Sequence, residues 1–182
     1  NNSEIVVRYL SDISASNNHY VLERSNNLSG PYSVISTSFS VSNPVQFIDA
    51  SANPSSRSYY YRVQVVDSCG DYVMTSNIGR TILLNIVSDN LNLANTLTWN
   101  HYQSWGGTIQ EYNIYRSLNG TFSASPIATV PGNQPFYTDN DIENLLQTTG
   151  EFCYYIEAVE NFNTYGQNET SLSNIFCVSM EP

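Results

Sequence analysis

The sequence predicts an all-β fold, built as two tandem antiparallel β-sandwiches. Three observations carry that expectation. Apolar residues recur with period two, as they do on a strand with one buried face. Clusters of Asn, Gly, Pro and Ser break the chain into short segments at turn positions, such as "NNLSGP", "NPSS", "SCGD", "LNG" and "VPGNQP". And the same ordered set of segments is written twice. No stretch holds a 3.6-residue apolar period for three turns. The nearest, "NDIENLLQTTGE" at 140–151, has room for a single helical turn before Gly150 ends it.

The elements follow in order. "EIVVRYL" at 4–10 is a strand. "HYVLERSNNLSGPYSVI" at 19–35 aligns with "EYNIYRSLNGTFSASPI" at 111–127, which pairs Tyr20 with Tyr112, Arg24 with Arg116 and Ser25 with Ser117. "VQFIDAS" and "PFYTDND" come next and pair Asp49 with Asp139. In "YYYRVQVVD" at 59–67, Tyr59, Tyr61, Val63 and Val65 share one face, and Phe152, Tyr154, Ile156 and Ala158 match them in "FCYYIEAVE". Ser76-Asn77-Ile78 then matches Ser173-Asn174-Ile175. Tyr20 to Tyr61 is 41 residues and Tyr112 to Tyr154 is 42. A repeat of roughly 90 residues fits two domains better than a solenoid, whose units are shorter. Several strands per copy, each with one face to bury, make a two-sheet sandwich.

The boundary falls in "RTILLNIVSDN" at 80–90, giving domains 1–85 and 86–182. That run holds no Gly or Pro, so a relatively fixed angle between domains is expected. The first domain looks clipped. Trp99 of "TLTWN" precedes Tyr112 by 13 residues, and Tyr9 precedes Tyr20 by 11, so "EIVVRYL" takes the second-strand slot. The first strand is then missing or supplied from elsewhere, and the exposed edge that results is a pairing hazard or an artefact of cutting. The chain starts at Asn1 rather than Met, and is read as a piece of a longer protein.

Composition narrows the function. Charged residues are 12% of 182, with 16 acidic against 6 basic, all arginine, and a net charge of −10. Such a chain repels phosphate backbones and anionic membranes, which argues against nucleic-acid binding. Solubility rests on Asn, Ser and Thr, a composition that leans toward extracellular β proteins. No cofactor is expected, since phosphate loops, zinc-protease motifs and nucleophile elbows are absent from the sequence.

The ordered set resembles bacterial fibronectin type III domains. "YYYRVQVVD" matches their late strand at every position, "FCYYIEAVE" matches with Phe152 for the first Tyr, and "Tyr-x-x-x-Arg-Ser" at 20–25 and 112–117 and "LTW" at 97–99 match as well. The resemblance covers nearly the whole chain and implies an immunoglobulin-like fibronectin type III topology. "VDSCGD", "TWNHYQSW" and a Cys pair around the final hairpin resemble repeats of secreted Bacteroidetes surface proteins associated with gliding motility. The family's tyrosine corner, in which a Tyr hydroxyl bonds upstream backbone, falls to Tyr59 in the first domain. Phe152 lacks the hydroxyl, so the second domain needs another brace.

Cys153 and Cys177 fall on the two strands of the last hairpin, within disulfide range of each other, with Cys153 expected to face outward. Free thiols or a metal site are the alternatives, and two cysteines without nearby His make a poor zinc site. The matching pair in the first domain is Tyr60 and Arg80, placed to stack as a cation and a ring. Cys69 in "SCGD" is a turn thiol or the partner of an upstream segment. Tyr102 and Trp105, in the aromatic loop "TWNHYQSWGG", are candidate ligand-binding residues. As a sugar-stacking platform they present flat aromatic faces; the structural reading packs them under the loop, and buried aromatics are the commoner case. Asp139, Asp141 and Glu143 are a candidate calcium cluster, against a turn role suggested by the repeat partner Asp49. "NLS" at 27–29, "NGT" at 119–121 and "NET" at 168–170 match the N-glycosylation acceptor.

The expected function is therefore non-enzymatic. The chain reads as a spacer or adhesion module of a large bacterial cell-surface or secreted protein, partnered by neighbouring domains of the same polypeptide and by protein or glycan ligands. A carbohydrate-binding accessory module is the alternative.

Overall fold

A computed structural model describes residues 3–11, 19–40, 42–103, 107–145, 150–161 and 168–181, without the side chains of residues 143 and 144. The chain is all-β apart from one helical turn. It divides into two compact units, Asn1–Thr81 and Ile82–Pro182.

The first unit contains β1 (Ile5–Tyr9), β2 (His19–Ser25), β3 (Ser33–Ser38), β4 (Val45–Asp49), β5 (Tyr60–Val66), β6 (Tyr72–Thr75) and β7 (Gly79–Arg80). β1 pairs β4 in a two-stranded sheet. The facing sheet runs β3-β2-β5-β6, with β7 also on β5. Every pairing is antiparallel. The alternation seen in the sequence decides which residues fill the space between sheets. Tyr20 and Leu22 from β2, Val45 and Phe47 from β4, and Tyr61, Val63 and Val65 from β5 form one buried cluster with Ala52 and Tyr59.

The second unit contains β8 (Leu84–Asp89), β9 (Ala94–Trp99), β10 (Ile109–Leu118), β11 (Thr121–Phe122), β12 (Ala128–Pro131), β13 (Phe136–Asp139), the turn α1 (Ile142–Leu145), β14 (Gly150–Glu160), β15 (Thr170–Leu172) and β16 (Phe176–Met180). One sheet is β13-β9-β8. The other runs β11-β10-β14-β15, with β12 also on β10 and β16 also on β14. Leu97, Trp99, Tyr112, Ile114, Phe152, Tyr154 and Ile156 lie in its core. Asn119 and Gly120, at φ 52° and 95°, form the two-residue connection between β10 and β11, where Leu118 pairs Thr121. A hairpin turn with two positive φ angles favours Asn-Gly, which explains the "LNG" signal.

Strand order and antiparallel pairing in both units are those of a fibronectin type III-like sandwich. The units differ at the smaller sheet. β8 pairs β9 along its length, whereas β1 has no such neighbour among the described residues. The spacing of Tyr9 from Tyr20 predicts the same difference, since it puts β1 in the second-strand slot.

One expectation shifts and one is refined. The run at 80–90 divides between Thr81 and Ile82, not after residue 85, because Ile82 and Leu84 are 2% and 0% exposed in the second core. Cys153 lies on the outward side of β14, as its alternation with Phe152 and Tyr154 predicts, but is covered there and only 6% exposed. It sits on a central strand flanked by β10 and β16, opposite Ser117 and Cys177, and strands on both sides cover it.

Candidate functional site

The polar residues that the repeat conserves between its two copies converge on one arrangement. In the first unit, Arg24 on β2, Asp49 at the end of β4 and Tyr61 on β5 meet. Arg24 Nη1 donates to Asp49 Oδ2 at 2.7 Å, and the Tyr61 hydroxyl donates to the same oxygen at 2.8 Å. Asp49 Oδ1 accepts from the Ser51 hydroxyl and amide at 2.7 and 2.9 Å. In the second unit, Arg116 Nη1 reaches both oxygens of Asp139 at 2.9 and 2.7 Å. The Tyr154 hydroxyl donates to Asp139 Oδ2 at 2.9 Å, and itself accepts from Asn95 Nδ2 at 3.0 Å. Each carboxylate comes from one sheet, and its Arg and Tyr come from the other. Each cluster is therefore a polar latch across the sandwich.

Burial makes these latches consequential. The Asp49 and Asp139 side chains are 0% and 1% exposed. A carboxylate in that setting needs its lone pairs filled. Burial alone would raise Asp49, but the Ser51 and Tyr61 hydroxyls, the Ser51 amide and the Arg24 charge outweigh it and hold the group below the usual carboxylate range. Burial and the neighbouring carboxylates push the Tyr61 and Tyr154 hydroxyls well above the usual phenol range.

These bonds bear on the acidic cluster at 139–143. Asp139 spends both oxygens on Arg116, Tyr154 and the Asp141 amide, the last at 3.1 Å. Asp141 lies 3.5 Å from Arg116 Nη2. The Glu143 side chain lies outside the described residues. Asp139 is thus aimed at protein donors in the manner of its repeat partner Asp49.

Cys153 and Cys177 pair across β14 and β16 and are disulfide-bonded, with Cα atoms 4.0 Å apart. Glu151 lies beside both sulfurs, yet their bond leaves no thiolate to offer a metal. Tyr60 and Arg80 pair at the equivalent place, with the guanidinium 5.5 Å from the ring centroid. The Tyr59 hydroxyl accepts from the Asn53 amide at 3.1 Å, a bond to upstream backbone that Phe152 cannot make. Cys69 is an exposed free thiol in the turn after Asp67, whose Oδ1 accepts from its amide.

The aromatic loop separates into parts. Trp99 is core, edge-on to Tyr112 with ring centroids 5.3 Å apart. Tyr102 is half-buried and packs against that core, its amide donating to the Tyr112 hydroxyl at 3.3 Å. Burial and the Glu160 charge push its own hydroxyl up to about 12. Trp105 lies outside the described residues.

Sequence reasoning missed the outer face of the large sheet of the second unit. Tyr115 and Tyr155, paired across β10 and β14, stack at 4.6 Å and 9°. Phe122 meets Tyr155 edge-on at 5.0 Å. Glu157 accepts from the Tyr115 hydroxyl and Asn113, both at 3.2 Å. The repeat register was the available signal. The same paired positions in the first unit hold Glu23 and Arg62, joined at 2.6 Å.

No protein-family profile matches this sequence, and no curated protein matches it. Among solved structures, it is similar to pectate lyase PelI from Erwinia chrysanthemi in complex with tetragalacturonic acid. The TM-score is 0.41 and the identity 15%, over 54% of this chain and 28% of the lyase. It is also similar to the FN1-FN3 domains of chicken CNTN1, with a TM-score of 0.38 and 15% identity over 100% of this chain and 64% of that one. The chain spans less than two thirds of either. The fold assignment stands on strand order and pairing, which make this chain a tandem of fibronectin type III-like sandwiches.

Proposed function

We propose that the chain is a non-catalytic pair of sandwich modules within a larger cell-surface or secreted bacterial protein, where it spaces or presents neighbouring domains. One observation carries this reading: the two buried carboxylates are spent on joining the sheets of each unit, and the paired cysteines on joining two strands of one sheet. Asp49 and Asp139 are filled by Arg, Tyr and backbone donors, and two of the three cysteines are cross-linked. A disulfide suits an oxidising compartment, which supports an extracellular location. Fold alone leaves function open, because this sandwich hosts many activities. The test is replacement within the parent polypeptide by an unrelated rigid tandem of equal length. Retained function supports a spacer; lost function assigns this chain a specific ligand.

Carbohydrate binding is the second reading, and the stacked Tyr115–Tyr155 face with Phe122 beside Glu157 and Asn113 favours it. Aromatic surface ringed by hydrogen-bonding groups suits a pyranose face. Glycan-array binding that falls on Tyr155→Ala and survives Trp105→Ala would place the ligand on this sheet. Loss on Trp105→Ala alone would return it to the loop. An empty array removes the reading.

A further inference from the structure

The two large sheets use the same positions of their outer faces differently. In the first unit, Arg62 lies 4.2 Å from the Tyr32 ring centroid and donates to Glu23 at 2.6 Å, while Gln64 donates to the same carboxylate at 3.2 Å. A ring and an amide-anchored carboxylate hold the cation. The second unit repeats those surroundings without the cation. Asn113 donates to Glu157 at 3.2 Å, as Gln64 does to Glu23, and Tyr115, Tyr155 and Phe122 supply the rings. Tyr155 stands where Arg62 stands, paired with Tyr115 as Arg62 is with Glu23. Both hydrogen bonds to Glu157 fall on Oε2, and Oε1 takes none among the described residues. Tyr115, Tyr155 and Glu157 are half-buried rather than covered.

Charge is divided unequally as well. Residues 82–182 hold ten acidic side chains against one arginine, whereas residues 1–81 hold six against five. That single arginine, Arg116, has a side chain 13% exposed and is spent on Asp139. Glu111 on β10 and Glu151 on β14 alternate with the core residues Tyr112 and Phe152, so they share the outward side with Glu157. The unit has no lysine and no second arginine to neutralise them.

We propose that the outer face of the β10–β14 sheet binds arginine side chains of a basic polypeptide segment. The guanidinium donates to Glu157 Oε1 and lies against the tyrosine rings, whose faces attract a cation. Arg62 on Tyr32 and Glu23 is this chain's own version of that contact. The acidic surroundings draw a basic partner in and turn acidic ones away. This inference holds whether or not the chain is a spacer, and it competes with a sugar for the same face.

The probe is a synthetic nonapeptide of alternating serine and arginine, blocked at both ends and titrated into the full chain by calorimetry and NMR. Its control carries citrulline, the neutral isostere, in place of each arginine. The expected result is binding that perturbs the amides of Tyr115, Tyr155 and Glu157, weakens as salt rises, and is lost with citrulline. Glu157→Gln should weaken it about 10-fold. Asp89→Asn removes an exposed charge from the opposite sheet and should change it less than about 2-fold. No binding, or equal binding of the citrulline peptide, overturns the assignment. Equal loss in the two variants means attraction to net charge rather than to a site, and also overturns it. So does occupation of this face by a neutral oligosaccharide such as maltohexaose when the arginine peptide leaves it untouched.

Discussion

At the scale of single residues, the latches set the strongest expectations. Removing the Arg116 charge leaves the buried Asp139 side chain without its cationic partner. Arg116→Met should cost about 3–5 kcal/mol in the second unit, and adding Asp139→Asn should recover part of that, since an unpaired buried charge is what costs most. Chemical denaturation of both variants checks this; equal losses would mean that the latch is not an ion pair. Tyr59→Phe deletes a single hydrogen bond to Asn53 and should cost about 0.5–1.5 kcal/mol, confined to the first unit. Arg24 with Arg116 and Asp49 with Asp139 were legible as repeat partners, because alignment needs only sequence. That each pair, with its tyrosine, closes on itself across two sheets was not legible, since the three residues come from separate strands.

At the scale of elements, the last hairpin is the clearest case. The disulfide joins β14 and β16 across a sequence separation of 24, in the unit that lacks the corner hydroxyl. Chain entropy gives such a loop at most roughly 3–4 kcal/mol. Cys153→Ser should therefore lower the melting temperature of the second unit while leaving the first in place. An unchanged calorimetric transition would remove the bracing role. Period-two alternation told which strand faces point inward, as Phe152, Tyr154 and Ile156 show at 0% exposure. It could not tell that Cys153 would be covered, because the outer face of a central strand is shielded by its neighbours and not by its own periodicity.

At the scale of the whole molecule, pH and force report on these features together. Asp49 titrates below its unfolded value, so in acid the unfolded chain binds the proton first. Stability is then full above pH ~4 and falls as pH drops through the folded value. Asp49→Asn should flatten that acid limb. Tyr61 and Tyr154 run the other way. The unfolded phenols ionise first, so stability is full below pH ~10 and falls as pH climbs beyond it. Tyr61→Phe should soften the alkaline limb of the first unit, as read by circular dichroism across a pH series. Pulled from its ends, the oxidised chain should release a contour length shorter by roughly 80 Å than the reduced one, the reach of the 24 positions held by the cross-link. Equal lengths in a force trap would mean that the bond is absent in solution.

What the sequence determined by itself was local and repeated: the strand faces, the Asn-Gly turn, the tandem of two sandwiches and the slot that β1 takes in the first copy. Periodicity, turn chemistry and spacing are properties of neighbouring residues, and two copies of one pattern corroborate each other. The tertiary structure alone decided where distant residues meet. It made Asp139 the centre of a latch. It set Tyr102 against the core, moved Ile82 and Leu84 into the second unit, and brought Tyr115 onto Tyr155. Those outcomes depend on which strands become neighbours, and a buried polar group takes its role from whatever donors the packing brings within reach.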